Sequence, residues 1–134
     1  MAKVYNIFIS HSWDHVDDLM NLRRLLENRG YFNVVFLETP PHDPINSSNS
    51  YYVKSTIKRN IKAADVVVGM AGVYASYSEW MRWELDTAIE EHKPILGVVP
   101  WGQINVSQVV LSRANEIVRW NTESIVDAIR RLAK

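Results

Sequence analysis

The stretch Val73–Glu91, VYASYSEWMRWELDTAIEE, sets one carboxylate among apolar neighbours. Tyr77, Trp80, Met81, Glu84, Leu85 and Ala88 recur at three- and four-residue spacing and so share one stripe of a helix. Five of the six belong against a protein core. Glu84 does not, unless it opens into a cleft with Trp80 one turn before it and Leu85 beside it. Partial desolvation of that kind is the setting in which a carboxylate works as an acid, a base or a stabiliser of positive charge. The plainer alternative is a solvated Glu at the edge of the buried stripe, paired with Arg82 or another cation. Ser76 followed three residues later by Glu79 reads as a capping box that starts the helix.

Other chemistry is largely excluded. There are no cysteines, so disulfides, thiolate metal sites and a cysteine nucleophile do not arise. The turn after the first apolar run is SHSWDH, without the glycines of a dinucleotide fingerprint. No G-x-x-x-x-G-K-[ST] phosphate loop and no G-x-S-x-G nucleophile elbow occurs. A phosphoacceptor domain would end its third strand in Asp, where this chain has Gly69 and Met70. His11 and His15 have a spacing a metal can use, but no Glu lies between them and His11 falls in a loop, so no metal is expected. Of the five tryptophans, Trp13, Trp83, Trp101 and Trp120 can be accounted for by filling the core or covering helix ends. The spacing of Trp80, one turn from Glu84, gives it a second use.

The elements that must position these residues alternate strand and helix. Lys3–Ser10 is a short β-branched and aromatic strand. Asp14–Arg29 is an amphipathic helix carrying Val16, Leu19, Met20, Leu22, Arg23 and Leu26 on its period, with Gly30 as its C-terminal cap. Tyr31–Leu37 is a second strand. Glu38–Ser50 holds three prolines, two asparagines and three serines in thirteen residues and is a long loop. Then come a helix over Tyr51–Ala63, a buried strand over Ala64–Met70, the Glu84 helix and a strand over Lys93–Pro100. A helical turn over Gln108–Arg113, a strand over Asn115–Arg119 and a helix capped by Asn121 or Thr122 complete the chain. Five such strands make a doubly wound parallel sheet with helices on both faces, in one α/β domain over residues 1–134. Ligands bind such sheets beyond the carboxyl ends of the strands. The segments Ser10–Asp14, Glu38–Ser50 and Met70–Ser78 all reach that edge.

At 134 residues, 47% hydrophobic and with fifteen cationic and fifteen anionic side chains, the chain is a globular protein of zero formal charge. That balance offers no footprint for nucleic acid or an anionic membrane. No run is long enough to span a bilayer. A cytoplasmic location is the expectation.

FISHSWD, together with YASYSEWMRWELDTAIEEHKPILGVVPWG, resembles the TIR superfamily, and more closely the TIR-like, flavodoxin-like proteins of bacterial Thoeris antiphage systems. The likeness extends to HDPI in the long loop and EIVRWNTESIVDAI at the end. Its most specific element is S-x-W-x-x-x-E, here Ser78, Trp80 and Glu84. The resemblance implies an enzyme that takes NAD as substrate and needs no cofactor. It implies that cleavage of the ribosyl–nicotinamide bond depends on Glu84, with Ser10, His11, Ser12, Asp14, Ser78, Trp80 and Trp83 against the substrate. A mobile loop carrying His42, Asp43 and Asn46 would cover the site. It further implies self-association through TIR surfaces, a viral trigger protein, and a cyclic ADP-ribose-type product read by a separate effector. Met81 stands where animal TIR domains commonly have Cys, and Glu38–Ser50 is unlike the animal loop. The residues leave open two alternatives: a non-catalytic TIR-like interaction module, and a nucleoside deoxyribosyltransferase-like enzyme.

Overall fold

A computed structural model describes residues 3–12, 16–37, 50–72, 75, 78–103 and 105–133. Five strands, β1 (Val4–Ser10), β2 (Asn33–Phe36), β3 (Val66–Met70), β4 (Ile95–Val98) and β5 (Glu116–Val118), form one sheet in the order β2-β1-β3-β4-β5. Every pairing is parallel. The helices between them are α1 (Val16–Glu27), α2 (Ser50–Ala63), α3 (Glu79–Glu90), α4 (Gln108–Leu111) and α5 (Thr122–Leu132). This is the expected doubly wound α/β sheet, and the strand order reverses between β1 and β3. The crevice beyond the carboxyl ends of those two strands is where such sheets take ligands.

Alternation along the strands divides the core into two halves. Ile7, Ile9, Val66, Val68, Leu96 and Val98 pack against Leu22 and Leu26 of α1 and Ile125, Val126 and Ile129 of α5. Phe8, Val67 and Ile95 point the other way, onto Ile57 and Ile61 of α2, Trp80, Met81 and Leu85 of α3, and Val109 and Val110 of α4. Both faces are covered, which is why β3 reads as an unbroken apolar run. Each fully buried Leu or Ile contributes ~1.5–3 kcal/mol.

Several local expectations are corrected. Met20 of α1 is 46% exposed, because the stripe runs instead through Leu22 and Leu26. Gly30 is not the left-handed cap of α1. Tyr31 takes that conformation instead, at φ 59°. Asn28 and Arg29 still donate backwards to Arg24 and Leu26, so the chain leaves the helix gradually. α3 begins at Glu79 with Ser78 as its N-cap, not Ser76, and the Ser78 hydroxyl accepts from the Met81 N–H. With Met81 at the third helical position there is no carboxylate to complete a capping box. Ser76 and Tyr77 lie outside the described residues, as does Ile104 beyond β4. The cap of α5 is as read: the Asn121 side chain accepts from the Ser124 N–H.

α3 closes in a way the sequence does not advertise. The Lys93 N–H bonds the Ala88 carbonyl and the His92 N–H bonds the Ile89 carbonyl, with His92 at φ 59°. That pair of bonds is the Schellman arrangement, usually built on glycine. Among the described residues, no helix is long and apolar enough to cross a membrane.

Candidate functional site

The site is assembled by a row of small residues across the sheet. Ser10 of β1 stands in register with Gly69 of β3, and Gly69 with Gly97 of β4. All three face the α2–α3–α4 side. A Cβ on Gly69 would lie 3.4 Å from Leu85 Cδ2 and 3.4 Å from Val110 Cγ1. Leu85 of α3 thus packs over Gly69, beside the end of β1.

There Glu84 meets Ser10. The Ser10 hydroxyl donates to Glu84 Oε1 at 2.6 Å. Ser10 is wholly buried and Glu84 is 4% exposed. The reading of Glu84 as a solvated residue at the edge of the stripe therefore does not hold, and Arg82 beside it is exposed. A hydroxyl donating to a carboxylate is a short, charge-assisted bond, about twice as strong as a neutral one. It fixes the carboxylate's orientation at the carboxyl end of β1.

Trp80, at 9% exposure, lies one turn before Glu84 and meets Trp83 edge to face, with ring centroids 5.9 Å apart and planes at 89°. Lys54 of α2 places Nζ 5.5 Å from the centre of the Trp83 ring. The two indoles thus form a rigid aromatic wall, backed by a cation. His11 follows Ser10 and is buried, at 7% exposure. Ser12 lines a cavity of about 10 Å³ with Asp18, Met70, Gly72, Ala75 and Met81, at the carboxyl ends of β1 and β3. This cavity joins two of the three segments expected at the edge, and it has room for one water at most. Ser78, expected against substrate, spends its hydroxyl on the cap of α3. Asp14, His42, Asp43 and Asn46 lie outside the described residues.

Two features escaped the sequence reading. Thr87 is buried and its hydroxyl donates to the Trp83 carbonyl at 2.8 Å, one turn back along α3. Its β-branched side chain fits the periodicity, but a buried Thr and an exposed one look alike in sequence. Trp101 is neither core filler nor helix cover. It is 80% exposed and lines a cavity of about 530 Å³ with Trp120 and residues of α1, away from Glu84. Loop tryptophans far apart in sequence carry no periodic signal that would have joined them.

Over residues 8–105 the chain matches the family model described as the TIR-like domain of the Thoeris protein ThsB. No curated protein sequence gives a significant match. Among solved structures it is similar to a 2-deoxyribosyltransferase from Bacillus psychrosaccharolyticus, with a TM-score of 0.64, 17% identity, and 91% of this chain and 90% of that one covered. It is similar to the SEFIR domain of IL-17 receptor B, at a TM-score of 0.60 and 9% identity, with 98% of each chain covered. A CMP N-glycosidase from Clostridium botulinum, BcmB, gives a TM-score of 0.55 and 14% identity, covering 93% of this chain and 98% of that one. At these identities the structural likenesses speak to the fold.

Proposed function

The chain belongs to the TIR-like family of the Thoeris protein ThsB, and from that premise we propose that it cleaves NAD at the ribosyl–nicotinamide bond with Glu84 as its catalytic carboxylate. One observation carries this reading: the buried Glu84 carboxylate, oriented by the Ser10 hydroxyl at 2.6 Å, at the switch point of the sheet.

The chemistry asks little more. The bond from the ribose anomeric carbon to the nicotinamide nitrogen breaks, and its electron pair leaves with neutral nicotinamide. The sugar becomes oxocarbenium-like, and a fixed negative charge beside it stabilises that state in a water-poor setting. Because the leaving group needs no proton, a single carboxylate suffices. The aromatic wall of Trp80 and Trp83 flanks a planar ring of the substrate, and Ser12 and His11 offer polar contacts to ribose or phosphate. Attack by water gives ADP-ribose and a proton. Attack by a nucleophilic atom of the same nucleotide gives a cyclic ADP-ribose isomer, the product we assign as a diffusible signal for a separate effector. No cofactor enters the scheme.

At 4% exposure Glu84 is out of reach of a ribose in this conformation. Catalysis in this scheme therefore requires α3 and the edge segments to part. Self-association through TIR surfaces, or a viral trigger protein, supplies the binding energy for that opening. The cytoplasm, where NAD and phage components meet, is the compartment assigned.

The test is nicotinamide release from NAD by the full chain at high concentration, with and without lysate of phage-infected cells, alongside Glu84→Gln. The parent is expected to release nicotinamide, and the folded variant to lose ~10²-fold or more of the rate. A folded Glu84→Gln protein turning over NAD at the parent rate would refute the assignment. A buried, oriented carboxylate also suits N-glycosidic transfer between free nucleosides. Base exchange between nucleosides without NAD turnover would select that reading. Silence with every substrate, trigger present, would select an interaction module.

A further inference from the structure

The Glu84 site leaves a second cavity unexplained. It measures about 530 Å³ and lies between α1 and the turns that follow β4 and β5, against the other half of the core from Glu84. That volume is within the usual range for small-molecule sites, ~300–1,000 Å³.

Its lining has a definite chemistry. Trp101 and Trp120 contribute two indoles from different turns, and Trp101 is 80% exposed. An indole left in water at a cavity mouth is not accounted for by packing, and aromatic faces are the standard platform for a nucleobase. Arg24 supplies a guanidinium that has no acidic partner among the described residues. The other arginine of the lining, Arg29, is committed to Glu123 through two contacts of 2.9 Å. Asn21 and Asn28 add carboxamides, and Thr122 brings the first residue of α5. Among the described residues, no acidic side chain lines the cavity. Two planar apolar faces, one uncommitted cation and flanking carboxamides are together complementary to a planar base carrying a phosphate. A guanidinium bonds phosphate oxygens in pairs, which a lone lysine cannot do.

We propose that this groove binds a nucleotide, the base against Trp101 and Trp120 and the terminal phosphate on Arg24. The proposal does not depend on NAD cleavage at Glu84.

ADP is the probe, since it contains no ribosyl–nicotinamide bond. The indole N–H resonances of Trp101 and Trp120, assigned with Trp101→Phe and Trp120→Phe, are followed by NMR during titration. ADP is expected to move both and to leave those of Trp80 and Trp83 in place. Adenosine and inorganic pyrophosphate should each bind about tenfold more weakly than ADP, and Arg24→Gln should weaken ADP by about tenfold or more. Arg24 and Trp101 are exposed, so both variants keep the core intact. Unmoved Trp101 and Trp120 signals at about 5 mM ADP would overturn the proposal. So would shifts confined to Trp80 and Trp83, pyrophosphate binding as tightly as ADP, or an Arg24→Gln protein that binds ADP like the parent. An oligomer of the free protein that Trp101→Ala dissociates would assign the groove to a second copy of the chain instead.

Discussion

At the scale of single residues the pair to perturb is Ser10 and Glu84. Replacing Glu84 by Gln keeps the volume and keeps an oxygen for the Ser10 hydroxyl, so stability should change by less than ~1.5 kcal/mol while the charge is lost. Ser10→Ala is the complementary variant. It leaves the carboxylate in place and removes a charge-assisted bond from a buried site, which should cost ~1.5–3 kcal/mol. If the hydroxyl also aims the carboxylate, the folded Ser10→Ala protein should lose NAD turnover with KM little changed, because orientation is felt at the transition state. Melting curves and nicotinamide release measured on the same samples separate the two effects. A Ser10→Ala protein that melts several degrees lower yet keeps the parent kcat would reduce Ser10 to a packing role. Glu84 was legible as a carboxylate on an apolar stripe, but the same spacing equally allowed a solvated Glu at the stripe's edge, and only the packing of α3 shows it buried. Ser10 was legible only as a polar residue ending a strand. Its contact with Glu84 spans seventy-four positions and depends on how closely α3 approaches the sheet.

At the scale of elements, the glycines in the strands differ in how tightly the covering side chains close over them. A Cβ on Gly97 would stand 2.4 Å from Ile117 Cδ1 and 3.0 Å from Val110 Cγ1, whereas one on Gly69 would meet nothing nearer than 3.4 Å. Gly97→Ala must therefore push the tip of Ile117 aside, and the overlap should outweigh the entropy gained by losing a glycine from a strand. The expected net cost is ~1–2 kcal/mol. Gly69→Ala, with ordinary contacts, should stay within ~1 kcal/mol of the parent. Chemical denaturation ranks the two, and a Gly69→Ala protein the less stable of the pair would contradict this packing account. The far end of α3 offers a gain. His92 holds a left-handed conformation that costs a side-chain-bearing residue ~1–2 kcal/mol, so His92→Gly should raise stability by ~1 kcal/mol; no increase in the denaturation midpoint would mean that the imidazole repays its strain. The order of helices and strands could be read from periodicity, but these ends could not. Ser76 and Ser78 are chemically equivalent caps, and only the packing of Trp80 and Met81 selects the second.

At the scale of the whole molecule, two helices distant in sequence close one face of the sheet over a shared apolar core, and an ion pair ties them at the surface. Arg29, just beyond α1, grips Glu123 in the first turn of α5, with Nε to Oε2 and Nη2 to Oε1 both at 2.9 Å. Strand order and the two-sided core follow from the alternation of apolar runs, which is why the fold class was legible. This joint was not, because an exposed Arg and Glu ninety-four positions apart are indistinguishable from any other surface pair. The hydrogen bonds from Arg29 hold the Glu123 carboxyl below its ordinary range, and the same contact holds the Arg29 guanidinium above its own. The sign for stability follows from Glu123. Its folded-state value lies below the unfolded one, so the contribution is present above the ordinary carboxylate range and is lost as pH falls through the depressed value. Arg29 stays charged throughout the accessible range and adds no slope of its own. Glu123 is 62% exposed, so the effect is modest and screened by salt. Glu123→Gln is therefore expected to melt below the parent at pH 7 and low ionic strength. The gap should shrink as pH falls below about 4 and shrink again when salt is raised. Thermal melts of parent and variant across pH check this directly. A gap that persisted unchanged at pH 2 would mean that the variant's loss does not come from this ion pair.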